Sequence, residues 1–134
     1  MTISSFDDLL SATRAQSEPQ RLLFVFTTAG VPDDATAQQR MRFEAGQGGT
    51  LTPLMCVDKA PEELVSFDAL LAETRQFDRA WDIVFVAALA GAAGVPPASP
   101  AAEAALQRMV ESIKSGEIGR YIPFDVDGQP VRFT

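Results

Sequence analysis

A nearly unbroken apolar run covers residues 81–89, with the sequence Trp-Asp-Ile-Val-Phe-Val-Ala-Ala-Leu. Because consecutive apolar positions leave no face for solvent, the run predicts a strand that is covered on both sides. Residues 21–28, with five consecutive apolar residues at 22–26, predict a second strand of the same kind. Since helices are the usual cover on both faces of such strands, we expect a mostly parallel sheet.

Four other segments have helical features. The first follows the capping residue Ser5, residues 36–45 are rich in helix formers, and the third begins near Pro61. The fourth has Ser99 as its cap and Pro100 as its first residue, and it ends at Gly116. The residues expected to face the core are Phe6, Leu9, Leu10 and Thr13 in the first, Leu64, Phe67, Leu70, Leu71 and Thr74 in the third, and Leu106, Met109, Val110 and Ile113 in the fourth.

Two remaining segments complete the sheet. Residues 50–57 predict a strand in which Pro53 indicates an edge position or a late start, although residues 42–57 also fit a hairpin that turns at 46–49. Residues 121–126 and 130–133 flank Asp127-Gly128, a strong hairpin signal. The predicted fold is therefore a single α/β domain with a mixed, mostly parallel sheet of about five strands, about four helices and a C-terminal β-hairpin.

Composition excludes several classes of function. With 18 acidic and 11 basic residues the chain has a net charge of −7 and no Lys/Arg cluster, so we expect no nucleic-acid binding. The absence of histidine removes His-based catalysis and ordinary His-ligated zinc. The single cysteine, Cys56, excludes an intrachain disulfide, and its apolar neighbours predict a buried, unreactive thiol.

The sequence also predicts no membrane association and a cytoplasmic location. The N-terminal residues have neither the basic nor the apolar region of a signal peptide, and the longest apolar run is too short to span a bilayer. The turn at residues 125–128 lacks the later glutamate that a calcium loop needs. We therefore expect no metal, no cofactor and no catalytic set.

A candidate ligand site lies where the predicted parallel strands end. Ligands of open α/β sheets bind beyond the carboxyl ends of the strands, and loops after parallel strands share one edge. The residues at those ends are Thr27, Thr28, Asp58, Lys59, Gly91 and Gly94. Lys59 would supply the charge for a small anion. The structural alternative is that Asp58 caps the helix near Pro61 while Lys59 is solvated.

Several segments together resemble a known family over nearly the whole chain. They are Phe6-Asp7-Asp8-Leu9-Leu10, Glu18-Pro19-Gln20-Arg21-Leu22-Leu23-Phe24-Val25-Phe26, Pro53-Leu54-Met55-Cys56-Val57-Asp58-Lys59, Ile83-Val84-Phe85-Val86-Ala87-Ala88-Leu89 and Tyr121-Ile122-Pro123-Phe124-Asp125. The chain resembles a family of small, uncharacterised proteobacterial proteins that often carry the label ribonucleotide reductase subunit alpha. The resemblance implies a bacterial cytosolic protein.

The residues do not support the activity in that label. A reductase subunit of the known kind needs a large barrel and several redox-active cysteines, whereas this chain has 134 residues and one cysteine. We expect instead a non-catalytic binding or protein-interaction module, whose partner the sequence does not identify. The alternative is a small enzyme or ligand sensor that binds a small anion at the strand ends. Homo-oligomerisation stays open.

Overall fold

The computed structural model describes residues 5–30, 34–44, 50–64, 66–76 and 80–131. Four strands and four α-helices lie in this part of the chain. In chain order they are α1 (Phe6–Arg14), β1 (Gln20–Gly30), α2 (Ala37–Glu44), β2 (Thr50–Lys59), a 3₁₀-helix (Pro61–Glu63), α3 (Phe67–Thr74), β3 (Ile83–Ala90), α4 (Ser99–Lys114) and β4 (Ile122–Phe124).

The sheet is antiparallel throughout, with the strand order β2-β1-β3-β4. The expectation of a mixed, mostly parallel sheet of about five strands was therefore wrong in both strand direction and strand number. The two-sided burial that suggested it is present, because helices lie on both faces of the sheet. Burial on both faces shows that a strand is covered but does not report the direction of its neighbours.

The connection between β1 and β2 explains the error. Gly30 lies opposite Thr50, so the two strands form a hairpin whose long connection contains α2. A crossover helix would bury one face against the sheet, whereas the described side chains of α2 are all exposed. The helix begins with a capping box, because the Gln39 N–H donates to Thr36 Oγ1 at 3.1 Å and the Thr36 N–H donates to Gln39 Oε1 at 2.9 Å.

Alternation along the strands builds one apolar cluster on each face of the sheet. The cluster under α1 and α3 is aromatic and contains Phe6, Leu9, Leu10, Leu22, Phe24, Phe26, Leu64, Phe67, Leu70, Trp81, Val84, Val86 and Phe124. The cluster under α4 is mostly aliphatic and contains Leu23, Val25, Phe85, Ala102, Ala105, Leu106, Met109 and Ile113. The predicted core strand is confirmed, since Val84, Phe85 and Val86 are completely buried between these clusters.

The segment expected to be one helix from Pro61 is divided in two. Its 3₁₀-helix ends at Glu63, and α3 begins only at Phe67 after Ser66, whose Oγ accepts the Ala69 N–H at 3.2 Å. A serine in this position satisfies a free N–H of the first helical turn, which makes it a favourable start. The division leaves Leu64 free to enter the aromatic cluster from the linking segment.

The C-terminal turn forms where the sequence predicts it, although the hairpin around it is short. Gly128 has a φ of 77°, and Asp125 Oδ1 accepts the N–H groups of Asp127 and Gln129 at 2.9 and 3.0 Å. The return segment makes one bridge, between Pro130 and Phe124. The rest of the predicted second strand, residues 132–133, lies outside the described residues, as do Ala45, Gly46 and the 47–49 loop.

Within the described ranges no helix is both long enough and apolar enough to cross a bilayer.

Candidate functional site

The antiparallel sheet separates the residues that the sequence grouped at one rim. Asp58 and Lys59 end β2 beside the start of β1, since Lys59 lies opposite Leu22. Thr28 lies six residues further along β1, which at about 3.3 Å per residue places it about 20 Å from that end. Gly91 follows β3 at the same end as Lys59, because Ala90 lies opposite Gln20. The predicted group is therefore divided between the two ends of the sheet.

The two threonine hydroxyls stabilise the neighbouring strand. Thr27 is completely buried, and its Oγ1 donates to the Ile83 carbonyl at 2.8 Å. Thr28 Oγ1 donates to Asp82 Oδ2 at 2.9 Å, and the same oxygen accepts the Ala29 N–H at 2.8 Å. Asp82 thereby fastens the end of β1 to the start of β3. Both hydroxyls have a structural role in this arrangement.

The charged pair at the end of β2 is also engaged, through two different ion pairs. The Arg21 side chain donates from Nε to Asp58 Oδ2 on the face covered by α4. On the opposite face, Lys59 Nζ lies 2.7 Å from Glu73 Oε1 of α3. Asp58 is therefore not the cap of the helix near Pro61, and Lys59 is not simply solvated. Both are partly buried, so each contact links β2 to another element.

The two predicted glycines lie in the loop after β3. Gly91 allows a close chain approach, because a Cβ built on it would lie 2.0 Å from the Val95 carbonyl oxygen. Gly94 has a φ of 78°, and its N–H donates to Glu18 Oε2 at 2.9 Å. A carboxylate of the chain itself therefore occupies the backbone donor that the sequence assigned to a ligand.

The outer edge of β2 is paired with no other strand in the described part of the chain. Its peptide directions follow from two hydrogen bonds of β1. The Gly91 N–H donates to the Pro19 carbonyl and the Asp82 N–H donates to the Thr27 carbonyl, both at 2.8 Å. The odd-numbered residues of β1 thus face β3. Successive peptide groups point to opposite sides of a strand, so the even-numbered residues face β2.

The register between β1 and β2 determines which residues of β2 direct their peptide groups towards β1. Phe24 lies opposite Val57, and both point their peptide groups towards each other. The flanking residues Cys56 and Asp58 therefore direct their N–H and C=O groups away from the sheet. No strand in the described part of the chain pairs with them. Residues 55–59 thus present a regular row of main-chain donors and acceptors.

The other half of the β2 edge is protected. The register shifts between Phe26 and Thr27, where Leu54 is the extra residue of a β-bulge. The bulge places Leu54 and Met55 side by side against the aromatic cluster. Beyond the bulge the peptide groups alternate in the same way, so Pro53 faces away from β1. The missing N–H of this proline therefore costs no hydrogen bond to β1. A bulge and an outward proline are devices that discourage strand addition.

Cys56 is exposed on this edge, which corrects the expectation of a buried cysteine. The apolar neighbours that suggested burial belong to alternate positions, and Val57 packs against the aromatic cluster while Cys56 does not. Partial desolvation nevertheless raises the pKa of the Cys56 thiol above its ordinary value. The thiol is therefore accessible but mainly protonated at neutral pH, when it is a weak nucleophile.

The sequence reasoning missed Arg21 and Glu73, which bind the two charged residues of the candidate site. Arg21 is a charged residue at the start of an apolar strand, a signal that it needs a partner, but its identity depends on the strand register. Glu73 lies in α3 and meets Lys59 only through tertiary packing. Among the residues that the structure describes, no group of three or more acidic or cysteine side chains is placed to hold a metal ion.

Comparisons with protein-family models, with curated proteins and with solved structures found no match for this chain. The family resemblance stated from the sequence therefore stays a prediction.

Proposed function

We propose that this protein is a non-catalytic binding module that takes an extended segment of a partner protein as an additional strand along residues 55–59 of β2. The observation that carries the proposal is the outward direction of the Cys56 and Asp58 peptide groups on the edge of a four-stranded sheet. Such a row of main-chain groups binds an extended peptide with little dependence on its sequence. The contacts of Thr27, Thr28 and Asp58 with neighbouring strands support a structural role for these polar residues.

The protection on β2 fixes where the added strand would lie. Pro53 and the bulge at Leu54 discourage pairing with the first half of β2, whereas the second half is regular up to Lys59. A partner segment of about five residues would therefore pair with residues 55–59, which is close to the usual length of a strand.

Charge favours a basic partner segment over a second copy of the chain. The protein has a net charge of −7, so two copies repel each other. The Asp58 carboxylate is partly exposed although it is paired with Arg21, and Glu62 is exposed four residues later. Lysine or arginine side chains beside the added strand would meet these carboxylates, which speeds association more than it increases final affinity.

The resemblance to a proteobacterial family and the single free cysteine support a bacterial, cytoplasmic location for this module. The alternative stated from the sequence stays a prediction. It is a small enzyme or ligand sensor that binds a small anion at the strand ends, with Thr27, Thr28, Asp58, Lys59, Gly91 and Gly94 as its residues.

Phage-displayed random dodecapeptides selected on the wild-type protein test the proposal. The recovered peptides are then measured by isothermal titration on Cys56→Ala and Cys56→Pro. Both variants lack the thiol, but only Cys56→Pro lacks the outward N–H and places a ring on the edge. We expect enrichment of extended, Lys/Arg-containing peptides, binding to Cys56→Ala that equals wild type, and loss of binding to Cys56→Pro.

Failure to enrich any peptide, or equal binding to both variants, would contradict strand addition at this edge. Sedimentation of the wild-type protein provides the second arm of the experiment. A dimer that Cys56→Pro dissociates would identify a second copy as the occupant and refute the basic partner segment.

A further inference from the structure

A polar cleft lies beside the C-terminal half of α4, separate from the β2 edge. Arg108, Ser112 and Ser115 have the i, i+4, i+7 spacing that places side chains along one face of a helix. The helix ends at a reversal centred on Gly116, which has a φ of 83°. The reversal is closed by the Glu117 N–H, which donates to the Ser112 carbonyl at 2.8 Å.

The chain after this reversal forms the second wall. Ile118 and Tyr121 pack against the cluster under α4, and the Tyr121 N–H donates to the Ile118 carbonyl at 3.2 Å. These contacts hold Arg120 beside the helix. The cleft is open to solvent and has a volume of about 440 Å³, within the range of small-molecule sites.

Four charged side chains, two of each sign, line this cleft, and all four are exposed to solvent. Arg108 and Glu111 come from α4, and Glu117 and Arg120 come from the chain that follows it. Within the described residues, neither arginine lies within 4.0 Å of a carboxylate oxygen, although both glutamates line the same opening. The two guanidinium groups and the two carboxylates are therefore available to form ion pairs with a bound ligand.

The balance of charge identifies the ligand chemistry. An anion alone would be attracted by the arginines and repelled by the glutamates, and the carbonyl end of α4 adds partial negative charge. A molecule with both a carboxylate and an ammonium group would satisfy the two kinds of side chain at once. We propose that this cleft binds a free amino acid, with its carboxylate between Arg108 and Arg120 and its ammonium group near Glu111 and Glu117.

The Tyr121 ring forms part of the lining and provides an apolar surface for a side chain of the ligand. The Ser112 hydroxyl adds a neutral donor and acceptor, and the Ser115 hydroxyl, which donates to the Ser112 carbonyl at 3.0 Å, adds an acceptor only. This site does not depend on strand addition at β2, so either proposal stands if the other fails.

Isothermal titration with three matched sets of probes tests the amino-acid site. Alanine, leucine and phenylalanine are each compared with the amine that lacks the carboxylate and with the acid that lacks the ammonium group. Inorganic phosphate is the simple anion. We expect at least one amino acid to bind, and its matched amine and acid to bind at least about ten-fold more weakly, since each loses a charge-assisted contact.

Two double variants separate a zwitterion site from an anion site. Arg108→Gln with Arg120→Gln, and Glu111→Gln with Glu117→Gln, keep side-chain size but remove the two kinds of charge. Each should weaken amino-acid binding by at least about ten-fold. Arg75→Gln, which changes an exposed arginine at the end of α3, is the matched control and should bind as wild type.

Three results would overturn the proposal. The first is that no amino acid binds to the wild-type protein. The second is that phosphate or the matched acid binds to the wild-type protein as tightly as the amino acid, which would show an anion site. The third is amino-acid binding that neither double variant changes. Melting curves of all variants test whether they are folded. We expect all of them to be folded, because substitutions at exposed positions usually change stability by little.

Discussion

The interior strand β3 and the edge strand β2 both pair with β1, but their residues differ in burial and in main-chain pairing. Val84, Phe85 and Val86 of β3 are completely buried, with apolar clusters on both faces and a paired strand on each side. In β2, by contrast, no residue is fully buried and Cys56 is exposed. The main chain of β3 is paired on both sides at residues 84–86, whereas half of the peptide groups of β2 face outwards.

This difference shows how position in a sheet determines which residues a strand tolerates. An interior strand has no free side, so every N–H is needed and every side chain is packed. An edge strand accepts an outward Pro53, an exposed Cys56 and a bulge at Leu54, because none of them removes a bond to β1. The same tolerance leaves the regular half of β2 able to accept another strand.

The largest expected effect is the loss of folding when a charge enters β3. Val86→Asp places an unpaired carboxylate inside the aromatic cluster, a cost of about 3–5 kcal/mol against a total stability of about 5–15 kcal/mol. Thermal unfolding followed by circular dichroism should show no cooperative transition or a strongly lowered midpoint.

The matched control is Cys56→Asp, which places the same side chain at the exposed position of β2. Its stability should stay within about 0.5 kcal/mol of wild type, as is usual for surface positions. Equal melting midpoints for the two variants would contradict the assignment of β3 as an interior strand and β2 as an edge strand.

A smaller effect tests the direction of the peptide groups along β2. Val57→Pro removes an N–H that points to Phe24 and should cost at least about 1 kcal/mol more than Cys56→Pro, whose N–H points outwards. Urea unfolding of the two proline variants measures this difference. The opposite order of stability would reverse the assignment of outward residues and remove the basis for strand addition.

The smallest expected effect concerns the thiol of Cys56. Because burial raises the pKa of this thiol, alkylation by iodoacetamide at neutral pH should be slower in the folded protein than in urea. As the pH rises, the alkylation rate of the folded protein should increase by about ten-fold per pH unit until the folded-state pKa is passed. Mass spectrometry of timed samples gives both rates. A folded protein that reacts faster than the unfolded one would show an activated thiol.

The same shift has a consequence for stability. A thiol whose pKa is raised by folding holds its proton more tightly in the folded state. It therefore favours folding at pH values below the unfolded pKa, and this contribution is lost as pH rises through the folded-state pKa. In Cys56→Ser the unfolding midpoint should lack this alkaline decline.

Local signals in the sequence were sufficient for most of the elements. The helix at residues 6–14 follows from Ser5 and the apolar spacing, and the completely buried run at 84–86 follows from its lack of polar residues. The helix at 99–114 lies where Pro100 and Gly116 predict it, but it includes Ser99, the predicted capping residue. These features depend on neighbours within a few residues, where propensity, capping and periodicity act. One available signal was missed, since residues 37–44 lack the apolar stripe that a crossover helix needs.

The chain by itself determined most of the helical and extended segments and the buried run at 84–86, because these follow from hydrophobic spacing and end residues. Only the tertiary structure decided that Gly30 pairs with Thr50, and with it the antiparallel order, the edge position of β2 and the separation of Thr28 from Lys59. Strand direction depends on contacts between residues far apart in sequence, on which local pattern carries no information. For the same reason Arg21 meets Asp58, and Arg108 lines a cleft with Arg120, only in the folded protein.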